Sequence, residues 1–390
     1  MIGTNLLPFT NFYLGRYLLW NFAKAHDYLH YPARSIRNAC PTFRFLESEA
    51  ERKRFLRLVP TVSYRLKGKI LTAGLEQLLI RSNTTAFLVI QNDTLLYEGY
   101  FCGYRRDSVN TSFSVAKSIS SILAGIAIDE GSIGSVEDPI TAYLPELKDP
   151  RFSRITLRHL LAMCSGLRHR FSMLPWSEIP RSYLSPDLRR LALHPKIQEE
   201  PGRHFHYNNC HTQLLGIILE RTTGRTVSGY LEEKLWRPLG MEYPASWSLD
   251  SVNSGFELMA AGLNARSIDF ARLGRLLLRR GDWEGRRLVS EEWVARSTAE
   301  DPIARRWPDY FAGGFPDHGQ KFLATGAGYY GWHWWGYRRE KGPDDFLATG
   351  LLGQYIYISP AKNLVIVRNG LSERGLDWYP AVLKQIADRL

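Results

Sequence analysis

From Val115 to Ala127 the apolar residues Val115, Ala116, Ile119, Ile122, Leu123, Ile126 and Ala127 recur at three- and four-residue intervals, and Gly131 follows as a stop. That spacing predicts a helix with one buried face and puts Ser114 in its first turn. The same period predicts helices near 75–81, over 155–163, over 211–221 before Gly224, over 268–280 before Gly281, and over 379–390. Strand-like runs occupy 86–91 and 94–101, joined by Asn92-Asp93, a pair suited to a tight hairpin. Strand character returns at 331–337, 354–359 and 363–369.

Strands at both ends with helices between them predict an α/β (α+β) architecture: one sheet assembled from both ends of the chain, with a helical region inserted. The active site is then expected in the cleft between two lobes. Residues 1–65 read as an extension rich in Phe, Tyr, Trp and Arg, whose aromatics need burial against the main body. Residues 66–390 read as the principal domain, with an α/β lobe from about 66–115 and 265–390 and a helical lobe from about 116–264.

Composition narrows the class. A chain of 390 residues, 44% hydrophobic and 23% charged, is long enough for a large core and is not a disordered composition. The net charge of +11 raises nucleic acid as a partner, but the arginine doublets are scattered, as at Arg105-Arg106, Arg189-Arg190 and Arg338-Arg339. With no nucleic-acid motif beside them they read as solvated surface, and no nucleic-acid partner is expected. Cys40, Cys102, Cys164 and Cys210 are widely spaced, so neither a zinc ribbon nor a disulfide framework is indicated.

The segment 6–22 is aromatic and apolar but is interrupted by Asn11 and Arg16, and no apolar run reaches the roughly 20 residues that span a bilayer. A docking arm is expected, which leaves open a peripheral membrane contact. The order of charge, apolar run and small residues that marks a signal peptide is absent. A cytoplasmic location is therefore favoured over a periplasmic or membrane-associated one.

Three segments bear chemistry. Ser114 and Lys117 lie three residues apart on one helix face, so an amine can sit beside a hydroxyl and influence its proton. The first turn of a helix has unpartnered N–H groups, so the N–H of Ser114 could stabilise an oxyanion formed by its own attack. Tyr207 offers a phenol able to relay a proton, and Asn209 an amide able to hold Lys117 or a substrate carbonyl. Finally, Gly350 and Gly353 flank Leu351-Leu352 before a strand, where a ligand can approach an edge closely. His204, His206, Cys210 and His211 cluster near Tyr207, but their spacing fits no common zinc pattern and no carboxylate cluster accompanies them. No metal and no cofactor are expected. The Trp332–Trp335 run reads first as core and second as a pocket wall. No Gly-x-Ser-x-Gly elbow is present, which argues against an alpha/beta-hydrolase.

Taken in order, Ser-x-x-Lys on a helix, Tyr-x-Asn about 90 residues later and a glycine-containing strand near the C-terminus resemble the serine beta-lactamase and penicillin-binding protein superfamily. The similarity is to its class C branch, and in particular to the esterase and 6-aminohexanoate-dimer hydrolase type. It extends to 155–161, Ser165-Gly166-Leu167, Pro238-Leu239-Gly240-Met241, 265–269 and 330–335, covering residues 70 to 385. The resemblance implies a beta-lactamase-like fold with an antiparallel sheet flanked by helices. It also implies that Ser114 is the nucleophile, that Lys117 and Tyr207 handle its proton, and that Asn209 positions Lys117 or substrate. The N–H groups of Ser114 and Leu351, beside Gly350, would then form the oxyanion hole. Which of Lys117 and Tyr207 is the base stays open.

One departure matters. Where the family usually has the cation of Lys-Thr-Gly, this chain has Ala348. Loss of a charge-assisted hydrogen bond costs about 1.5–3 kcal/mol, which disfavours a beta-lactam or peptidoglycan stem. The expected activity is therefore hydrolysis of carboxylic esters or small linear amides through an acyl-enzyme. The alternatives are a beta-lactamase or D,D-carboxypeptidase or D-aminopeptidase and, in another class, a catalytically silent binding protein of the same fold.

Overall fold

A computed structural model describes residues 12–19, 24–169, 172, 174–305, 322–374, 376 and 379–390. Eight strands make the main sheet: Leu46–Glu47 (β1), Thr84–Gln91 (β2), Thr94–Tyr100 (β3), Gly328–Tyr330 (β4), Trp335–Tyr337 (β5), Asp345–Gly350 (β6), Gln354–Ser359 (β7) and Leu364–Gly370 (β8). Their spatial order is β4-β5-β6-β7-β8-β2-β3-β1, antiparallel throughout except for the β1–β3 pair. The seam between the two ends of the chain is β8 against β2, where Val89 faces Ile366. Every residue of β2 and of β8 is buried, so these strands read as apolar runs and not as alternating ones.

Seven helices matter for the site: Tyr13–Leu19 (α1), Val115–Asp129 (α2), Glu178–Leu184 (α3), Leu188–Ala192 (α4), Asn209–Thr223 (α5), Ser267–Leu278 (α6) and Pro380–Arg389 (α7). Neighbouring residues of β7 show that α6 and α7 cover opposite faces of the sheet. A Cβ on Gly274 of α6 would lie 2.9 Å from Ile356, whereas the ring of Tyr355 stacks at 5.9 Å on Tyr379, which caps α7. Helix α2 is buried from Val115 to Ala127, more than the single face its periodicity predicted. It packs on α5 and on the end of β6, so its N-terminus opens between the sheet and the helical region.

Several elements differ from their sequence signals. The helix expected over 155–163 spans only Leu157–Leu161, because Thr156 and His159 close a capping box at its start and Met163 turns left-handed at φ 59°. Of the strand expected over 331–337 only 335–337 (β5) is extended; 331–334 form the turn that folds it back on β4, with His333 at φ 62°. The inserted region is helical apart from Ala245–Ser248 and Leu263–Ala265, which form a small sheet with Ala33–Ile36 and Asn110–Thr111. Strands of two to four residues are too short to show a period.

The extension does more than lie on the body. It supplies β1 to the main sheet and Ala33–Ile36 to the small one, and buries Ile36 and Phe55 completely. Of the arm expected over 6–22, residues 6–11 and 20–22 lie outside the described residues; α1 packs on α3, and the buried Arg16 donates to the carbonyls of Leu184, Ser185 and Asp250. All four cysteines are free. Among the described residues no helix is long and apolar enough to cross a membrane.

Candidate active site

Ser114 occupies the N-cap of α2, with φ −65° and ψ −6°, yet its side chain makes no capping bond. The hydroxyl is turned to Lys117 one turn on, and Nζ and Oγ lie 2.8 Å apart. A second bond runs from Nζ to the carbonyl of Ala260 at 3.0 Å. Lys117 is 1% exposed, and burial lowers its pKa from 10.5 to about 7. Near neutrality about half the molecules therefore hold a neutral amine. Such an amine can give one N–H to Ala260 and turn its lone pair to the Ser114 hydroxyl.

The small sheet fixes both residues. Asn110–Thr111 pairs with Leu263–Ala265, and the N–H of Ser112 continues that ladder to the Leu263 carbonyl at 2.8 Å. Ala260, three residues before Leu263 begins the same strand, holds the amine. Between Ser112 and Ser114 the chain passes through Phe113 at φ 43°, a left-handed conformation strained for an aromatic residue, and this turn directs Ser114 out of the strand and onto the helix.

Tyr207 is half-buried, with the Lys117 amine 4.9 Å from its ring centre. Trp335 lies beside it at 5.7 Å and Tyr330 meets it edge-on at 6.3 Å. The Trp332–Trp335 run is thus mainly core, and it reaches the site through the contact of Trp335 with Tyr207. Asn208 caps α5 by accepting the N–H of Cys210 at 2.9 Å. Asn209, expected to hold Lys117 or substrate, gives its amide N–H to Ser182 Oγ at 2.9 Å instead, and the bonds of the Lys117 amine go to Ser114 and Ala260.

The end of β6 closes the other side. A Cβ on Gly350 would fall 2.3 Å from the Ser112 carbonyl, so only glycine lets this strand approach the segment before Ser114. Pairing with β7 ends at Gly350 and Gln354, which leaves Leu351, half-exposed at the start of the turn, outside the ladder. Ala348 is fully buried opposite Ile356, leaving no room for a cation at that register.

Sequence reasoning did not find the backbone carbonyl of Ala260, which has no residue signature, nor His333. His333 donates its Nδ1–H to the Lys117 carbonyl at 3.2 Å, and its own carbonyl accepts from Ser118 at 2.6 Å. Burial, and then the charge of Lys117, hold His333 down to about 3, so it stays neutral and bolts the β4–β5 turn to α2. The structure also corrects the histidine cluster. Glu199, five residues before His204, joins His204 at 2.6 Å and His206 at 2.8 Å. The donor atoms of these three side chains fall within 4.8 Å of one another, close enough to hold a metal ion. His211 is instead buried against Ser165 at 2.5 Å.

The arrangement of a hydroxyl, a depressed lysine, a phenol and unpaired N–H groups suits acyl transfer to the serine. The beta-lactamase family model matches residues 75–374. The 6-aminohexanoate-dimer hydrolase of Paenarthrobacter ureafaciens is 28% identical over 305 residues, 75% of this chain and 74% of its own. Among solved structures, a Bacillus anthracis protein assigned as a 6-aminohexanoate-dimer hydrolase superposes with TM-score 0.76 at 23% identity, covering 93% of this chain and 91% of that one. EstCE1, a hydrolase with promiscuous acyltransferase activity, superposes with TM-score 0.62 at 15% identity over 87% of this chain and 98% of its own.

Proposed function

This chain belongs to the beta-lactamase family, and from that premise we propose that it is a serine hydrolase that cleaves carboxylic esters or small linear amides through an acyl-enzyme on Ser114. The observation that supports this most directly is the 2.8 Å contact of Ser114 Oγ with a lysine whose pKa lies near 7. As Oγ bonds to the substrate carbonyl carbon, its proton passes to Lys117, directly or by way of Tyr207. The oxyanion takes the N–H of Ser114 and, by the same reading, that of Leu351. The tetrahedral intermediate collapses by releasing an alcohol or amine that departs with that proton. Water then attacks the acyl-serine by the reverse transfers and yields the carboxylic acid.

The buried Ala348 supports esters and linear amides over beta-lactams. The resemblance to a 6-aminohexanoate-dimer hydrolase supports the same choice. Wild-type protein is expected to turn over p-nitrophenyl butyrate, to be labelled on Ser114 by a fluorophosphonate, and to hydrolyse nitrocefin more slowly than the ester. Ser114→Ala is expected to lose both turnover and label; ester turnover undiminished in that variant would refute the reading.

A further inference from the structure

Next to Asn208, which follows Tyr207 in the chain, lies a cavity of about 580 Å³ bounded by the 167–169 loop, α3, α4 and the first turn of α5. Its lining holds four cations, Arg168, Arg181, Arg190 and Lys196, against two carboxylates, Glu178 and Asp187. The carboxylates are occupied: Glu178 pairs with Arg168 at 2.9 Å, and Asp187 caps α4 through the N–H of Arg190. The side chains of Arg181, Arg190 and Lys196 are exposed at the rim and make no ion pair among the described residues. A concave wall with unbalanced positive charge concentrates anions.

The inner wall shows the same demand. Asn208 is 3% exposed, and because its side-chain oxygen is spent on Cys210, its amide nitrogen is left buried with no hydrogen-bond partner. Nδ1 of His169 is likewise buried and unpartnered. Burial and the charge of His206 hold His169 down to about 4. The cavity adjoins the catalytic group through Asn208, the chain neighbour of Tyr207, whose ring centre lies 4.9 Å from the Lys117 amine. Neutral His169 can present an N–H. Two buried N–H donors behind three free cations form a receptor for an acceptor-only, negatively charged group.

We propose that this cavity binds the carboxylate of the substrate, so that the enzyme prefers esters or amides bearing an acidic group a few bonds from the scissile carbonyl. The proposal rests on the hydrolase reading above. It also accounts for Ala348: the anion is read from the helical wall of the cleft and not from the strand edge.

The test compares mono-p-nitrophenyl glutarate with p-nitrophenyl butyrate, and measures glutarate binding to Ser114→Ala by calorimetry. Wild type is expected to favour the acidic ester at least tenfold in kcat/KM, with the preference shrinking as salt rises. The combined variant Arg181→Gln, Arg190→Gln, Lys196→Gln should cut the acidic-to-neutral ratio at least tenfold, mainly through KM, and weaken glutarate binding in the Ser114→Ala background to the same extent. All three sites are exposed, so the fold should tolerate the changes. Arg286→Gln, an exposed charge on a hairpin away from the cavity, controls for net charge and should leave the ratio as in wild type. Equal rates on both esters, no saturable glutarate binding, or an unchanged ratio in the combined variant would overturn the proposal while leaving the hydrolase reading intact. Glutarate bound with neither ester cleaved would instead sustain the anion cavity and refute the hydrolase reading.

Discussion

Near pH 7 Lys117 is at the midpoint of its own titration, and this one side chain ties both activity and stability to pH, each rising as the proton is lost. Only the neutral amine can take the serine proton, so kcat/KM for a neutral ester is expected to rise with pH along a single-proton limb centred near 7. A profile flat from pH 5 to 9 would assign the base role elsewhere. For stability the sign follows from proton counts. Between about 7 and 10.5 the unfolded chain keeps a proton on this lysine that the folded chain has lost, so stability rises with pH through that window and the penalty is full below it. Lys117→Met should therefore lose at least a thousandfold in kcat/KM, yet unfold at neutral pH with equal or greater stability, by about 0.5–2 kcal/mol in urea titration. The Ser114–Lys117 pair was legible in the sequence because three-residue spacing on a helix fixes the contact locally. Ala260 was not legible, since any residue has a carbonyl. The bond from Asn209 to Ser182 depends on where α3 lands, and no local pattern encodes that.

At the scale of elements, the close approach of β6 to the segment before Ser114 makes Gly350 the position least tolerant of change. Gly350→Ala would set a methyl group 2.3 Å from the Ser112 carbonyl, and neither partner is a flexible side-chain end. The expected result is a loss of about 1–3 kcal/mol in urea unfolding, together with a fall in kcat larger than any rise in KM. A variant with wild-type stability and kcat would show that the two backbones part freely. Long elements were legible: α2, α5, α6 and strands β2, β3, β7 and β8 fall within two residues of their predicted ranges, because each has several turns or an extended apolar run to average over. The small sheet that holds both Ser112 and Ala260 was not. Asn110–Thr111 is polar and two residues long, and only its partner Leu263–Ala265 makes it a strand.

Across the whole molecule, the N-terminal helix bears on the site at a distance. Arg16, buried at 3% exposure, binds carbonyls at the end of α3 and at Asp250, and so clamps the helix that forms one wall of the cationic cavity. Arg16→Ala should cost about 1.5–3 kcal/mol and speed amide exchange across 178–185 more than across α2; equal exchange in both segments would mean that the clamp is not local. The sheet itself, joined where β2 meets β8, has a consequence for biosynthesis. Gln91 pairs with Leu364, so at ~5–20 residues per second the ribosome needs roughly 15–55 s to deliver the second strand after the first has emerged. Through that interval Thr84–Gln91, wholly buried in its final surroundings, waits with one edge unclaimed. The nascent chain is most vulnerable to aggregation in this window, and a holdase that shields strand edges during translation should raise the yield of active protein more than one added after release.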